Sequence, residues 1–341
     1  MKFLITGGCG FVGSNLAIYL KKKIKNSKVF CLDNLSRNGS KFNKNRINNF
    51  RIKNFNLDIN SKKILSLQKF DFIIDCCAEP AIEESIKNPK KVFNTNLVGT
   101  FNLLNKVQKD KAKLIFLSSS RVYSINKLNK LIKNKNIKNQ IISNFKIDHS
   151  FSNESPISLY GFSKLASEML IKEYSYMYNI KYIINRFGVI SGPWQFGKVD
   201  QGFASLWVGR HINKKKLYYK GYGGHGNQVR DLIHIDDVCD IILKQIKKIN
   251  SIYNNSFDIG GGIKNSISLK QLTKKCQFIT NNKIKIFNDK KTSKFDIPYF
   301  VSNNKKIYKA YKWRPKKNID KIIADIFYWL DQNKKILRGH F

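Results

Sequence analysis

The sequence predicts a doubly wound α/β fold with a parallel sheet and a second, smaller C-terminal domain. Three observations carry this. Short apolar runs alternate with stretches of helical period from Lys2 to Phe187. Glycines at three-residue spacing (Gly7, Gly10, Gly13) fall between the first run and the first helical stretch. Beyond residue 187 the alternation becomes irregular. The expected division is a first domain over residues 1–187, with a loop insertion at 124–150 and last sheet elements from about 229–260. An interleaved smaller domain spans 188–341.

Lys2 to Thr6 reads as a buried parallel strand. Leu16, Ala17, Leu20 and Ile24 follow on one helical face. The glycine turn therefore aims backbone N–H groups and a helix N-terminus at whatever sits above it, which suits a phosphate. Its bland reading is a βα turn without a ligand. Lys28 to Leu32 is the second strand, and Asp33 ends it twenty residues after Gly13. A carboxylate there can accept both ribose hydroxyls of an adenosine and repels a 2′-phosphate, so NAD is preferred to NADP. Asn34, Ser36 and Arg37 follow, either at the adenosine end of a cofactor or as a plain polar loop. Phe50 to Leu57 is a third strand closed by Asp58 and Ile59, where the carboxylate suits an adenine amino group or a helix N-cap. Phe70 to Cys77 is the fourth, ending at Ala78 and Glu79, and Pro89 to about Lys109 is helical. Lys113 to Leu117 is the fifth and runs into Ser118, Ser119 and Ser120. In such a sheet ligands lie over the carboxyl ends of the strands, so residues 7–13, 33, 58, 78–79 and 118–120 are expected on one rim.

Residues 124–150 hold six Lys and six Asn without a strand pattern and read as a long loop, a lid or a solvated insertion. Tyr160 and Lys164 then lie one turn apart on a helix. Lys181 to Phe187 is the sixth strand, Phe257 to Ile259 belongs to the last sheet elements, and a helix from about Ile319 to Asn333 closes the chain.

The bulk composition excludes more than it assigns. No apolar window reaches the ~18 residues of a membrane span, and Met1 leads straight into a strand, so neither a membrane anchor nor a leader peptide is expected. The six cysteines show no C-x-x-C pair, which implies reduced core thiols, no metal site and a cytoplasmic protein. The net charge of +40 invites a nucleic-acid reading. Its Lys is spread over the whole chain with abundant Asn and Ile, which reads as compositional bias of a solvated surface rather than a specific nucleic-acid site. Such a field still steers anionic substrates inward.

Ser119, Tyr160 and Lys164 form a chemical set over a nicotinamide. An ordinary tyrosine hydroxyl titrates at about 10, so a tyrosine base needs a positive neighbour, and a lysine one helical turn away supplies it. A serine hydroxyl can hold a substrate oxygen against that tyrosine while the carbon is oxidised.

With these residues in place the chain resembles the extended short-chain dehydrogenase/reductase superfamily, the NAD-dependent sugar epimerases and dehydratases, with their Rossmann-type domain. TGGCGFVG is similar to the cofactor turn, DNLS to the ribose loop, SSSRVY to the serine strand, YGFSK to the Tyr/Lys helix and QVRDLIHIDDV to the nucleotide-sugar segment. The strings NRFGVISGPWQFGKVDQG and GYGGHGNQVRDLIHIDDV, with the 41-residue gap from Ser119 to Tyr160, look like the CDP-paratose 2-epimerase type. The resemblance implies catalytic Ser119, Tyr160 and Lys164. It implies NAD held by Gly7, Gly10, Phe11, Val12, Gly13, Asp33, Asn34, Ser36, Arg37, Asp58, Ile59, Ala78, Glu79 and Asn96, with Tyr160 and Lys164. It places substrate against Ser120, Arg121, Asn185, Gln195, Arg230 and Asp296, with Arg230 gripping the nucleotide diphosphate; the bland reading of Arg230 is an ion pair with Asp231. The implied reaction is transient oxidation to a keto-sugar, rotation and re-reduction, in a homodimer or homotetramer. Dehydratases of the family carry Asp-Glu directly after the catalytic Ser/Thr, where this chain has Ser120 and Arg121. Relatives also place an arginine three residues before the Asp of the C-terminal substrate loop, where this chain has Ser293. The competing readings are a UDP-sugar 4-epimerase and a non-catalytic Rossmann protein that binds NAD or nucleic acid.

Overall fold

The computed structural model describes residues 1–133, 147–198, 201–334, 337 and 340–341. Its strands, in chain order, are β1 (Lys2–Thr6), β2 (Lys28–Leu32), β3 (Lys53–Phe55), β4 (Phe72–Asp75), β5 (Lys113–Ser119), β6 (Tyr182–Phe187) and β7 (Val189–Ser191). They continue as β8 (Leu217–Lys220), β9 (Val229–His234), β10 (Asn255–Ile259), β11 (Ser266–Ser268), β12 (Ile286–Asp289) and β13 (Tyr299–Phe300). The chain divides into two compact units, the first formed by Met1–Val122, Ser158–Arg186 and Val238–Phe257, the second by Tyr123–Ile157, Phe187–Asp237 and Asp258–Phe341.

Unit one is built on a seven-stranded sheet in the order β10-β6-β5-β4-β1-β2-β3. The pairs β1/β2, β1/β4, β2/β3 and β4/β5 are parallel. The order reverses beside β1, where the chain first winds toward β3 and then back through β4 to β6. That is the switch point at which doubly wound sheets hold ligands. The apolar runs became strands because both sheet faces are covered: Leu4, Leu32, Ile73, Leu114, Phe116 and Ile184 are buried in one cluster, and the alternating residues Phe3, Ile5, Ile74 and Ile115 are buried too. The helix Phe11–Lys23 begins directly after the glycine turn, as its periodicity required.

Unit two holds a four-stranded sheet, β11-β9-β13 with β7 on β9, and a two-stranded parallel pair of β8 and β12. Trp207, Leu232, Leu272, Ile322, Ile326, Trp329 and Phe341 fill its core. This corrects one expectation. Val229–His234 is a strand, but it belongs to the small sheet, and only Asn255–Ile259 joins the large one. A strand's period identifies it as a strand and says nothing about its neighbours.

The insertion at 124–150 is also corrected in part. Ile125–Lys133 is a helix, and Ile147 bridges to Ser302. Residues 134–146, and with them the lid reading, lie outside the described residues. The helical stretch from Pro89 is continuous to Asp110 but contains a π turn at Asn94–Val98. Among the described residues no helix is long and apolar enough to cross a membrane.

Candidate functional site

The first cluster of candidate residues gathers at the carboxyl ends of β1, β2 and β4 in unit one. Gly7 has φ +59°, and a Cβ on it would lie 2.9 Å from the Cys76 carbonyl oxygen. A Cβ on Gly13 would lie 2.2 Å from the Gly7 oxygen. Both positions thus require glycine, since the helix start is pressed against the turn. Gly10 is the N-cap of the helix and offers no capping side chain, and the first turn (Phe11, Val12) carries no acid. Its uncapped N–H groups and positive helix end therefore suit an anion.

Asp33 stands beside this turn. Its carboxylate accepts from the Cys9 N–H (3.0 Å) and the Leu35 N–H (2.8 Å). Burial raises its pKa above the ordinary value, against the opposing pull of the Leu35 and Cys9 N–H groups and of Arg37. Asn34 donates to Asp58 (2.7 Å), which also accepts from Asn60. Ser61, not Asp58, caps the following 3₁₀ turn. Ser36 donates its N–H to the Asn34 side chain. Arg37 and Lys91 both reach Glu79, at 3.3 and 3.2 Å. Ile59 is buried and packs on Gly99, while Ala78 is half-buried. Residues 7–13, 33, 58 and 78–79 thus follow the carboxyl ends of strands in unit one.

Asn96 sits in the π turn, 1 % exposed, and its side chain is fully employed. It accepts the Glu79 N–H (2.8 Å) and donates to the Glu79 carbonyl (3.1 Å) and the Ser163 hydroxyl (3.0 Å). It fixes Glu79 at one end and the Tyr160 helix at the other. The π turn re-aims one side chain inside a helix, a common device near functional sites.

The second cluster lies at the end of β5. Ser119 closes the strand and its Oγ accepts the Arg121 N–H at 3.1 Å. Ser120 and Arg121 form a 3₁₀ turn with Val122. The helix Ser158–Tyr178 carries Tyr160, 8 % exposed, and Lys164, 2 % exposed. The Lys164 ammonium donates to the Leu117 carbonyl (2.9 Å) and rests 4.5 Å above the Phe116 ring. A buried ammonium held at the strand end fixes positive charge where β5 delivers Ser119.

Two features of this cluster have no local sequence signal. Glu168 is fully buried one turn beyond Lys164, paired with Arg186 (2.7 Å) and accepting from the Ser118 hydroxyl (2.5 Å). Asn185, expected at the substrate, is instead fully buried with both amide ends matched to Gln245 (2.8 and 2.7 Å). That pairing uses its polar atoms inside unit one, and its part is structural.

In unit two Arg230 and Asp296 come together. The Arg230 guanidinium donates to Asp296 (3.1 Å), the Ile297 carbonyl (2.6 Å) and its own strand's Val229 carbonyl (2.8 Å). Asp231, the partner considered for Arg230, points elsewhere: it is buried, accepts the Gly262 and Ser302 N–H groups, and is raised by burial. Gln195 bonds the Ile190 carbonyl and Ser205.

None of the six cysteines is in a disulfide. Burial pushes the Cys9 thiol up to about 12, and Cys31 and Cys76 are raised by the same cause. Among the described residues no cluster of His, Cys, Asp and Glu is arranged to hold a metal ion. Unit one thus fits a dinucleotide: a glycine cradle that a Cβ would fill, an uncapped helix start, and a carboxylate beside it.

A sequence profile of the NAD dependent epimerase/dehydratase family matches residues 3–260. CDP-paratose 2-epimerase of Salmonella typhi is 30% identical over 340 residues, covering 96% of this chain and 99% of that one. The dTDP-D-glucose 4,6-dehydratase of Dictyostelium discoideum is 33% identical over 75% of this chain and 58% of its own. The structure of UDP-glucuronic acid 4-epimerase from Bacillus cereus, in complex with UDP-glucuronic acid and NAD, superposes with a TM-score of 0.82. It is 22% identical over 97% of this chain and 99% of that one.

Proposed function

The chain belongs to the NAD dependent epimerase/dehydratase family, and from that premise we propose that it is an NAD-dependent nucleotide-sugar epimerase of the CDP-paratose 2-epimerase type. The observation that carries the reading is the Ser119, Tyr160 and Lys164 set at the end of β5, followed by Ser120 and Arg121 where a dehydratase has two carboxylates. Likeness to the Salmonella typhi enzyme along nearly the full length of both chains supports the choice within the family.

Bound NAD supplies a reversible two-electron acceptor. Gly7, Gly10 and Gly13 would let the Phe11 and Val12 N–H groups hold its diphosphate, and Asp33 would accept from its ribose hydroxyls. Asn34, Ser36, Arg37 and Asp58 would hold its adenosine end, with Glu79 tied to Arg37 beside them. Tyr160 takes the proton from the sugar hydroxyl, and Ser119 holds that oxygen in line. Lys164 keeps positive charge on the same helix face. After the keto-sugar turns over, Tyr160 returns the proton to the oxygen and the carbon is restored with inverted configuration. Arg230 is assigned to the nucleotide diphosphate by charge-assisted bonds, with Asp296 orienting its guanidinium. The protein works as a homo-oligomer, through the helices Pro89–Asp110 and Ser158–Tyr178.

The test is incubation with a panel of CDP- and UDP-sugars followed by NMR of the sugar ring. Inversion at carbon 2 of a CDP-sugar is expected, falling by about 10²- to 10⁴-fold in Tyr160→Phe with NAD retained. Inversion at carbon 4 of a UDP-sugar would move the assignment to a 4-epimerase. Salt-sensitive nucleic-acid binding with turnover of no sugar would overturn it.

A further inference from the structure

Ser119 comes from a strand, whereas Tyr160 and Lys164 come from a helix, and something must hold the two elements in fixed alignment. We propose that Ser118, Glu168 and Arg186 form a positioning clamp that sets the helix against the end of β5. The inference rests on reading Tyr160 and Ser119 as the reacting pair.

Two side chains one helical turn apart tie the helix to the strand. Lys164 donates to the Leu117 carbonyl (2.9 Å), and Glu168 accepts from the Ser118 hydroxyl (2.5 Å). Their strand partners are the two residues immediately before Ser119. Glu168 has no exposure, so its charge needs compensation inside the protein. Arg186, on β6 next to β5 in the sheet, supplies it through a forked contact. Its Nε lies 2.9 Å from Oε1 and 3.1 Å from Oε2 of Glu168, and its Nη2 lies 2.7 Å from Oε2. The carboxylate thus couples three elements, β5, β6 and the helix, around one buried point. A buried ion pair adds little net stability compared with apolar packing of the same volume. Its geometric consequence is larger, because a forked guanidinium and a short hydroxyl contact permit one arrangement. Tyr160, Lys164 and Glu168 recur every four residues, so a roll of the helix that broke the Glu168 contact would carry Tyr160 with it.

Ser118→Ala is the cleanest probe, since it removes the Glu168 link to the strand while keeping the Lys164–Leu117 bond and the Glu168–Arg186 pair. Glu168→Gln would leave Arg186 without its counter-charge and is the harsher test. The assay uses the CDP- or UDP-sugar that the wild-type protein turns over. Ser118→Ala is expected to lower kcat about 10- to 100-fold, with KM within about twofold and NAD content unchanged. Amide exchange at Leu117 to Ser119 should rise, and Ser118→Thr should restore both readouts. Unchanged kcat in Ser118→Ala, or no rescue by Ser118→Thr, overturns the clamp. If Tyr160→Phe is inactive in the same assay, such a result removes the clamp alone. If Tyr160→Phe is fully active, or no sugar is turned over, the reaction falls and the clamp with it.

Discussion

Asp33 is the residue whose electrostatics bear most directly on the cofactor. Burial raises its pKa, so the apo protein gains stability from this group at acid pH and loses it as the carboxyl ionises. In the proposed site cofactor binding has the opposite sign, because the ribose hydroxyls would need the carboxylate as acceptor. NAD affinity should therefore weaken on acidification, starting above the pH of about 3.9 at which an ordinary aspartate takes its proton. Asp33→Asn should bind NAD about 10- to 100-fold more weakly, from hydrogen bonds worth roughly 1.5–3 kcal/mol, with little pH dependence. Calorimetric titration across pH checks this; equal affinities would remove Asp33 from the site. That Asp33, the glycines and Ser119 fall at strand ends, and Tyr160 and Lys164 on one helix, was legible from residue identity and spacing. Asn96 entered that reading only through the family resemblance, and Glu168 was not legible, since its partner Ser118 stands 50 residues away. Asn185 was misjudged for the same reason: Gln245, 60 residues on, satisfies it.

At the scale of elements, the helices Pro89–Asp110 and Ser158–Tyr178 pack on each other, with Phe101 and Tyr174 edge to face at 6.1 Å. They still expose large apolar groups: Phe93 (39 %), Phe101 (44 %), Phe162 (45 %) and Met169 (61 %). Apolar surface of this kind is the usual mark of an interface. We expect a dimer by light scattering at micromolar concentration, shifted toward monomer by Phe162→Glu with Met169→Glu. A monomeric wild-type mass would contradict this. Long periodic elements were legible, but boundaries and short helices were not. The third strand was expected over 50–57 and spans Lys53–Phe55. Ser40–Asn48 and Ile125–Lys133 are helices rich in Asn, a weak helix former, although Ile125, Leu128 and Ile132 recur at helical spacing in the second. The π turn left no trace, because an extra residue per turn shifts the period only locally.

For the whole molecule, the charge of +40 is the loudest feature of the sequence, yet the proposed cofactor and catalytic residues are a few mostly buried or half-buried groups in unit one. Surface Lys supplies a field that draws in anions, while the proposed chemistry rests on Ser119, Tyr160 and Lys164. Interleaved domains were expected to part near residue 187, with a return to the large sheet at about 229–260; the chain divides into two compact units of three segments each, with Tyr123–Ile157 also in the second. The central claim is that one carbon of a nucleotide sugar is oxidised and then restored without the electrons leaving the protein. A substrate deuterated at the carbon that inverts tests it most directly. With no nicotinamide in solution, the epimer should form with deuterium still on that carbon. Replacement of the label by solvent hydrogen in the epimer would contradict the account.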